Sequence, residues 1–263
     1  MANVPAEIRN DGGRALELPP ARRSVDVGRC GGNALTIEVS VLMPVFNERA
    51  TLERALNDVL ATEVADQWEL IVVDDGSTDG STELLREGSW PDHMRVLFHD
   101  RNCGKGSAIR TALAEARGRY STVMDSDLEY SPADLPALLD PLRRGDARAV
   151  FGTRGFQAHS AYSFWYVMGN RVVTFTANLV YNSWVSDIMT GHKAMETELF
   201  RSLRLRERGF AIEAEITARL LRGGIRIFEV PVVYRARSRE EGKKLTALDG
   251  LRVIATLVRC RLV

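Results

Sequence analysis

Residues 68 to 79 read W-E-L-I-V-V-D-D-G-S-T-D, an apolar β-branched run that stops abruptly at two carboxylates, a glycine and three small capping residues. An apolar run without polar alternation is the pattern of a strand buried on both faces. Four runs of the same kind lie around it: VSVLM at 39–43, MRVLF at 94–98, STVM at 121–124 and RAVF at 148–151. Helix candidates begin between them near Glu48, Ser81, Gly106 and Pro132, each with apolar residues three and four positions apart. The alternation predicts an α/β fold with a mostly parallel sheet flanked by helices, and such sheets bind ligands at the carboxyl ends of their strands.

Outward from this region the pattern changes twice. Residues 1–36 hold Pro5, Pro19, Pro20 and several glycines with little apolar periodicity, and read as a flexible N-terminal extension. The Gly28–Gly32 cluster is not a phosphate loop, because no strand precedes it and no GK[ST] follows. The folded domain is expected over 37–263, with the strand-rich half at 37–155 and a second half at 156–263. That second half carries helix candidates near 162–182 and 210–222, a strand-pair region IRIFEVPVVY, a basic stretch and an amphipathic C-terminal helix.

Composition excludes several function classes. The chain has 263 residues, 45% hydrophobic and 27% charged, enough for one compact domain or two small ones. Its 35 basic and 35 acidic residues cancel, so no global field attracts a nucleic acid, and anion binding must be local. Cys30, Cys103 and Cys260 are odd in number and far apart, which fits neither a disulfide framework nor a zinc knuckle and suggests a reducing, cytoplasmic setting. No apolar run is long enough to span a bilayer and the N-terminus lacks a signal pattern, so the expected body is soluble or peripheral.

Chemistry gathers at the strand ends. Pro44-Val45-Phe46-Asn47-Glu48 follows the first strand, and Asp74-Asp75-Gly76-Ser77-Thr78-Asp79 follows the second. A carboxylate here can accept hydrogen bonds from a nucleobase or ribose, or cap the next helix; Asp79 suits capping, and at least one of Asp74 and Asp75 suits a ligand. The fourth strand ends in Asp125-Ser126-Asp127-Leu128-Glu129, a spacing that suits a hard divalent cation provided the chain turns there. An ordinary acidic turn before Ser131-Pro132 is the competing reading. Asn102-Cys103-Gly104-Lys105-Gly106-Ser107 lacks the G-x-x-x-x-G-K spacing of a nucleotide-triphosphate loop, although its glycines permit close backbone approach to a phosphate or sugar.

Taken in order, P-V-F-N-E, V-V-D-D-G-S-T-D, N-C-G-K-G-S-A-I-R, M-D-S-D-L-E and F-G-T-R resemble the nucleotide-sugar half of inverting family 2 glycosyltransferases of the GT-A fold. S-D-I-M-T-G-H-K-A-M, G-F-A-I-E-A-E-I and I-F-E-V-P-V-V-Y-R-A-R-S-R-E-E-G-K-K-L extend the resemblance to the dolichyl- or polyprenyl-phosphate hexose synthase branch, over about residues 38–260. The resemblance implies that Pro44, Phe46 and Glu48 with Asp75 hold the nucleoside, that Asp125 and Asp127 bind Mg²⁺ or Mn²⁺, and that Glu129 lies beside the metal. Relatives often carry Gln or His at the Glu129 position. Arg154 and Lys193 match basic positions that contact phosphates, and Arg237, Lys243 and Lys244 match an acceptor or phosphate loop. Glu215 aligns with the acidic residue that serves as base in other family 2 enzymes, with Glu213 close by, although both also fit an amphipathic helix face. His192 reads as a structural donor rather than a base.

The candidate donor site is thus Pro44, Phe46, Asn47, Glu48, Asp74, Asp75, Lys105, Asp125, Ser126 and Lys193, with Asp127, Arg154 and Glu215 as catalytic candidates. The implied reaction moves a hexose from a nucleotide-diphosphate sugar to a polyprenyl phosphate. An acceptor phosphate is already anionic and needs positioning and charge shielding rather than a base, whereas the alternative, a soluble hydroxyl acceptor, needs one. A silent nucleotide-sugar-binding protein is the rival from another class. The aromatic segment from Tyr162 suits a bilayer interface, core packing or a homodimer interface equally; Asn170 and Arg171 are its candidates for a lipid phosphate. Cytoplasmic location with peripheral contact at the inner face of the plasma membrane follows as the expectation.

Overall fold

Every apolar run between 39 and 151 becomes a strand, four of them largely buried and the run at 94–98 only partly so, ending on the exposed Phe98. The computed structural model describes residues 36–155, 164–237 and 247–262. Its strands are β1 (Val39–Val45), β2 (Trp68–Asp74), β3 (Met94–Phe98), β4 (Tyr120–Val123), β5 (Ala149–Arg154), β6 (Lys193–Glu196) and β7 (Ile227–Val232). They form one sheet in the order β3-β2-β1-β4-β6-β5-β7. Successive side chains of a strand point to opposite faces, so Leu42, Ile71 and Val73 enter one core while Val41, Met43, Leu70 and Val72 enter the other.

The helices are α1 (Arg49–Leu60), α2 (Ser81–Glu87), α3 (Lys105–Glu115), α4 (Leu135–Arg144), α5 (Phe164–Tyr181), α6 (Thr197–Ser202), α7 (Ile212–Arg222) and α8 (Ala247–Leu262). Leu52, Leu56 and Val59 of α1 and Leu135, Leu138 and Leu139 of α4 cover one face of the sheet. Ile109 and Ala112 of α3, Ile216 and Leu220 of α7, and Val253 and Leu257 of α8 cover the other. On the amphipathic last helix Leu257 is buried and Ile254 partly so, whereas Leu251 and Val258 face outward. Among the described residues no helix is long and apolar enough to cross a membrane.

β1 runs parallel to β2 and β4, and β2 parallel to β3. Their carboxyl ends therefore lie on one edge, where Val45 stands opposite Asp74 and Asp74 opposite Phe98. β4 stops at Val123, opposite Leu42, so Pro44 sits beyond the β1–β4 ladder and its missing N–H costs no bond on that side.

Two features depart from the sequence reading. The segment expected as a strand pair, IRIFEVPVVY, is one edge strand paired with β5, followed by an isolated bridge from Tyr234 to Tyr130. Pro231 is tolerated there because an edge strand has a free side. β6 escaped notice: four residues long, it runs antiparallel between β4 and β5. Its reversed direction brings its first residue, Lys193, to the edge where the parallel strands end.

Gly76 closes the turn after β2 with φ +71°, and a Cβ there would lie 2.5 Å from the Arg101 carbonyl carbon. Gly76→Ala is expected to cost about 2 kcal/mol or more, because left-handed strain and a backbone clash add; a urea denaturation midpoint equal to wild type would show that the 75–80 and 99–104 loops do not pack as described.

Candidate active site

The loops at the carboxyl edge enclose a cleft of about 300 Å³. Of the candidate residues, Pro44, Phe46, Glu48, Asp75, Lys105, Asp125, Ser126, Asp127, Glu129, Arg154 and Arg237 line it, together with Tyr130, Tyr166 and Glu213. Asn47, Asp74, Lys193, Glu215, Asn170 and Arg171 do not line it, and Lys243 and Lys244 lie outside the described residues.

At one end the two carboxylates after β2 divide their labour. Asp75 is buried; it accepts hydrogen bonds from the Cys103 and Gly104 amides at 3.0 and 2.6 Å and lies 2.6 Å from His99 Nδ1. His99 Nε2 in turn meets the Thr111 hydroxyl at 2.9 Å. The ligand atoms of Asp75, His99 and Cys103 lie within 4.8 Å of one another, but the carboxylate and both imidazole nitrogens are already engaged, so the trio braces the 99–104 loop. Asp74 instead closes its own turn, accepting the Ser77 amide and the Thr82 hydroxyl. Asn47, at φ +52°, ties two loops: its amide donates to Ser77 Oγ and its Oδ1 accepts the Thr78 amide. Asp79 caps as expected, accepting the Ser81 and Arg49 amides at the starts of α2 and α1. Burial opposes its charge, yet the Ser81 hydroxyl and these amides hold its carboxyl below the ordinary value.

The glycine loop before α3 turns toward the protein. The Gly106 and Ser107 amides donate to the Arg208 carbonyl at 2.6 and 3.2 Å. The close approach that these glycines allow is therefore to the 207–208 backbone, not to a phosphate, and Lys105 is the residue that faces the cleft.

The acidic loop turns after its second aspartate. Leu128 has φ +61°, and Asp127 Oδ1 accepts the Glu129 amide at 3.1 Å. Asp125 pairs with Lys105 Nζ at 2.8 Å, and Asp127 with Arg237 at 3.2 Å. Glu129 is taken up by the 234–237 segment: its carboxylate accepts the Tyr234 hydroxyl and the Arg237 amide, each at 3.0 Å. Burial, then the charges of Asp125 and Glu129, push the Asp127 carboxyl up to about 7. Carboxylates crowded so that one resists ionisation form an oxygen donor set that a hard divalent cation would relieve, and the residues present fit Mg²⁺ or Mn²⁺.

Beneath the cleft runs a chain of alternating charge. Lys105 approaches Glu213 Oε1 at 3.0 Å, an ion pair without hydrogen-bond geometry, and Lys193 donates to Glu213 Oε2 at 2.5 Å. Lys193 is wholly buried, its ammonium also donating to the Ile188 and Thr190 carbonyls. The structure thus corrects the expectation for two residues. Lys193 supports Glu213 from below the cleft, and Glu215 faces away from it, accepting the Arg206 and Glu207 amides and pairing with Arg219. The α7 carboxylate that reaches the cleft is Glu213.

Arg154 is no surface ion pair. Its guanidinium is buried and grips Asp187 in a bidentate pair at 2.6 and 2.9 Å, with Asn170 Nδ2 donating to the same carboxylate at 3.1 Å. Asn170 therefore serves the Arg154–Asp187 pair, while Arg171 points outward from α5. His192 is fully buried between the Val123 and Ser131 carbonyls, the structural role its isolation suggested. The sequence reading overlooked Asp187, although it lies inside S-D-I-M-T-G, because nothing local links it to an arginine 33 residues away.

Comparison with known proteins bears on the family and the fold. The family model described as glycosyl transferase family 2 matches residues 40–204. Dolichol-phosphate mannosyltransferase of Saccharomyces cerevisiae is 30% identical over 224 residues, covering 80% of this chain and 82% of that protein. Glycosyltransferase AglJ of Haloferax volcanii is 28% identical over 200 residues, 76% of this chain, and the match spans 63% of AglJ. The dolichol-phosphate mannosyltransferase of Pyrococcus furiosus is 28% identical over 85% of this chain and 64% of its own length. Glucosyl-3-phosphoglycerate synthase from Mycobacterium tuberculosis, solved with Mn²⁺, UDP and phosphoglyceric acid, superposes with a TM-score of 0.64 at 24% identity, covering 86% of this chain and 78% of that one. The architecture is thus the GT-A fold anticipated from the strand and motif order.

Asp187→Ala would leave the Arg154 guanidinium buried without its carboxylate, and the expected loss of stability is about 3–5 kcal/mol by urea denaturation at neutral pH. Burial alone would raise the Asp187 carboxyl, but the Arg154 charge, the hydrogen bonds from Arg154 and Asn170 and the Lys193 charge together hold it below the ordinary value. The pair's contribution is therefore complete above the ordinary carboxylate range and lost as pH falls through the lowered value, so the gap between wild type and variant should close in acid. A gap independent of pH would place the effect in packing instead.

Proposed function

Because the chain belongs to glycosyl transferase family 2, we propose that it transfers a hexose with inversion from a nucleotide-diphosphate sugar to a polyprenyl phosphate, with Mg²⁺ or Mn²⁺ held by Asp125 and Asp127. What supports the reading is a single cleft lined by a carboxylate pair together with Lys105 and Arg237, opposite charges suited to a cation and to phosphates, with the Arg154–Asp187 pair at its wall. The yeast and Pyrococcus relatives carry dolichol-phosphate in their names, and the Mycobacterium neighbour was solved with Mn²⁺ and UDP.

The nucleoside end falls to Pro44, Phe46 and Asp75, and the cation, once bound, supplies neutralising charge for the departing diphosphate. Lys105 offers further positive charge: burial opposes it, but Asp125 and Glu213 raise its ammonium well above the ordinary value, so it stays charged. An acceptor phosphate oxygen attacks the anomeric carbon from the face opposite the diphosphate; the new C–O bond forms as the old one breaks, and the negative charge leaves on the nucleotide. No proton need be removed from such an acceptor.

The carboxylates favour this acceptor over a hydroxyl. Burial would raise the Glu213 carboxyl, but Lys193 and Lys105 hold it below the ordinary value, which makes it a poor base. Glu215 is engaged with two amides and Arg219.

An acceptor borne by lipid calls for peripheral membrane contact. The outward face of α5 and the loop after it presents Phe164, Trp165, Phe175, Leu179 and Trp184, with Trp165 80% and Trp184 84% exposed, while Tyr166 of the same helix lines the cleft. Leu251 and Leu262 of the adjoining α8 are also exposed, flanked by Arg252 and Arg259. Aromatic and arginine side chains on one face suit the interface of an anionic membrane, at its cytoplasmic side.

The direct test incubates the chain with UDP-glucose or GDP-mannose, Mn²⁺ and a short polyprenyl phosphate and follows lipid-linked hexose by mass. Glycolipid formation, lost at least a hundredfold in Asp127→Ala with the circular-dichroism spectrum unchanged, is the expected result; nucleotide release that ignores the lipid would move the acceptor to a hydroxyl. In vesicle flotation, Trp165→Ser with Phe175→Ser should lower binding to anionic vesicles at least fivefold. Undiminished flotation, with wild type a dimer and the double variant a monomer by light scattering, would assign this face to self-association.

A further inference from the structure

Glu129 and Arg237 make contacts that a metal ligand and a phosphate contact do not need. The Glu129 carbonyl accepts the Arg235 amide at 2.8 Å, its carboxylate accepts the Tyr234 hydroxyl and the Arg237 amide, and Tyr130 bridges Tyr234. Residues 129–130 and 234–237 are therefore stitched into one short ribbon, with Glu129 bonded on both its backbone and its side chain. The ribbon aims Arg237 back into the cleft. There its guanidinium reaches Glu48 at 2.9 and 3.3 Å and Asp127 at 3.2 Å, with Glu129 at 3.9 Å.

A guanidinium among three carboxylates occupies the electrostatic position of a cation. Its fit is incomplete: Nε is buried and has no hydrogen-bond partner. An unsatisfied buried donor weakens the arginine's hold on these carboxylates, so this pairing is one that a better cation can replace.

We propose that Arg237 is the resident counter-ion of the acidic loop, held in register by Glu129, and that a divalent cation binding at Asp127 displaces it, freeing the guanidinium for an anionic phosphate. Glu129 is in this account a positioning residue rather than a metal ligand. The exchange couples the two events: the cation releases the arginine in the same cleft where the phosphates need positive charge. The inference rests on the metal-dependent reading above and adds the order in which the cleft's charges change partners.

The test is a titration of the full chain with Mn²⁺ without nucleotide, reading free Mn²⁺ by electron paramagnetic resonance. Arg237→Gln, which removes the competing charge, should bind Mn²⁺ at least threefold more tightly than wild type, and Arg237→Lys, which keeps a cation, less than twofold more tightly. Glu129→Gln should stay within twofold of wild type or bind more tightly. Equal or weaker binding by Arg237→Gln overturns the displacement, and a tenfold loss in Glu129→Gln would make that residue a ligand and overturn its positioning role. Wild-type protein that takes up no Mn²⁺ counts against the metal-dependent reading and this proposal together, whereas wild-type uptake unchanged by Arg237→Gln counts against this proposal alone.

Discussion

The carboxylate of Glu213 sits between two ammonium groups, Lys105 at 3.0 Å and Lys193 at 2.5 Å, and this buried contact joins the pieces that the cleft needs. Lys105 opens α3, Lys193 opens β6, and Glu213 lies in the first turn of α7. Through Lys105 the chain of charge continues to Asp125 at the end of β4. Four alternating charges out of water are tolerable only as a balanced set, since an unpaired ion in a low-dielectric interior costs several kcal/mol. The balance shows in the groups themselves: both lysines hold the Glu213 carboxyl below its ordinary value against the effect of burial, and burial pulls the Lys193 ammonium down more than Glu213 restores it. Asp125 is thereby held by the core as well as by its own loop.

The same economy governs the other side of the cleft. Arg154 is spent on Asp187, with Asn170 on the same carboxylate, and the Arg154 guanidinium also lies 4.9 Å from the Tyr234 ring. That places the start of the 234–237 segment against the end of β5, while Glu129 and Arg237 fasten the segment to the acidic loop. The antiparallel β6 makes this arrangement reachable. Running against β4 and β5, it carries the 187–192 loop to the edge where the parallel strands deliver their own loops, so residues from both halves of the chain meet there. An all-parallel sheet would have sent that loop to the opposite edge.

Local signals carried most of the fold. Strands buried on both faces write themselves as continuous β-branched runs, and all five such runs are strands; the capping role of Asp79 follows from its place before a helix. β6 is hidden in the sequence because K-A-M-E is too short to show a period and opens on a charged lysine rather than an apolar β-branched residue. Lys193 and Glu215 were drawn to the site by motif position, yet a motif says which residues lie near a cleft and not which way each side chain turns. Glu213 and Glu215 are two residues apart on a helix, roughly 200° around its axis, so only one of them can face the cleft.

The sequence by itself determined the α/β architecture, the family and the loops that carry the chemistry, because hydrophobic periodicity and turn residues act over a few positions. Tertiary structure decided the partners: Glu213 with Lys105 and Lys193, Arg154 with Asp187, Glu129 with the 234–237 segment, and Arg237 with Glu48 and Asp127. Those choices depend on charge balance in a desolvated volume, assembled from residues as far apart as 48 and 237, and a rule that reads neighbours along the chain has no access to them.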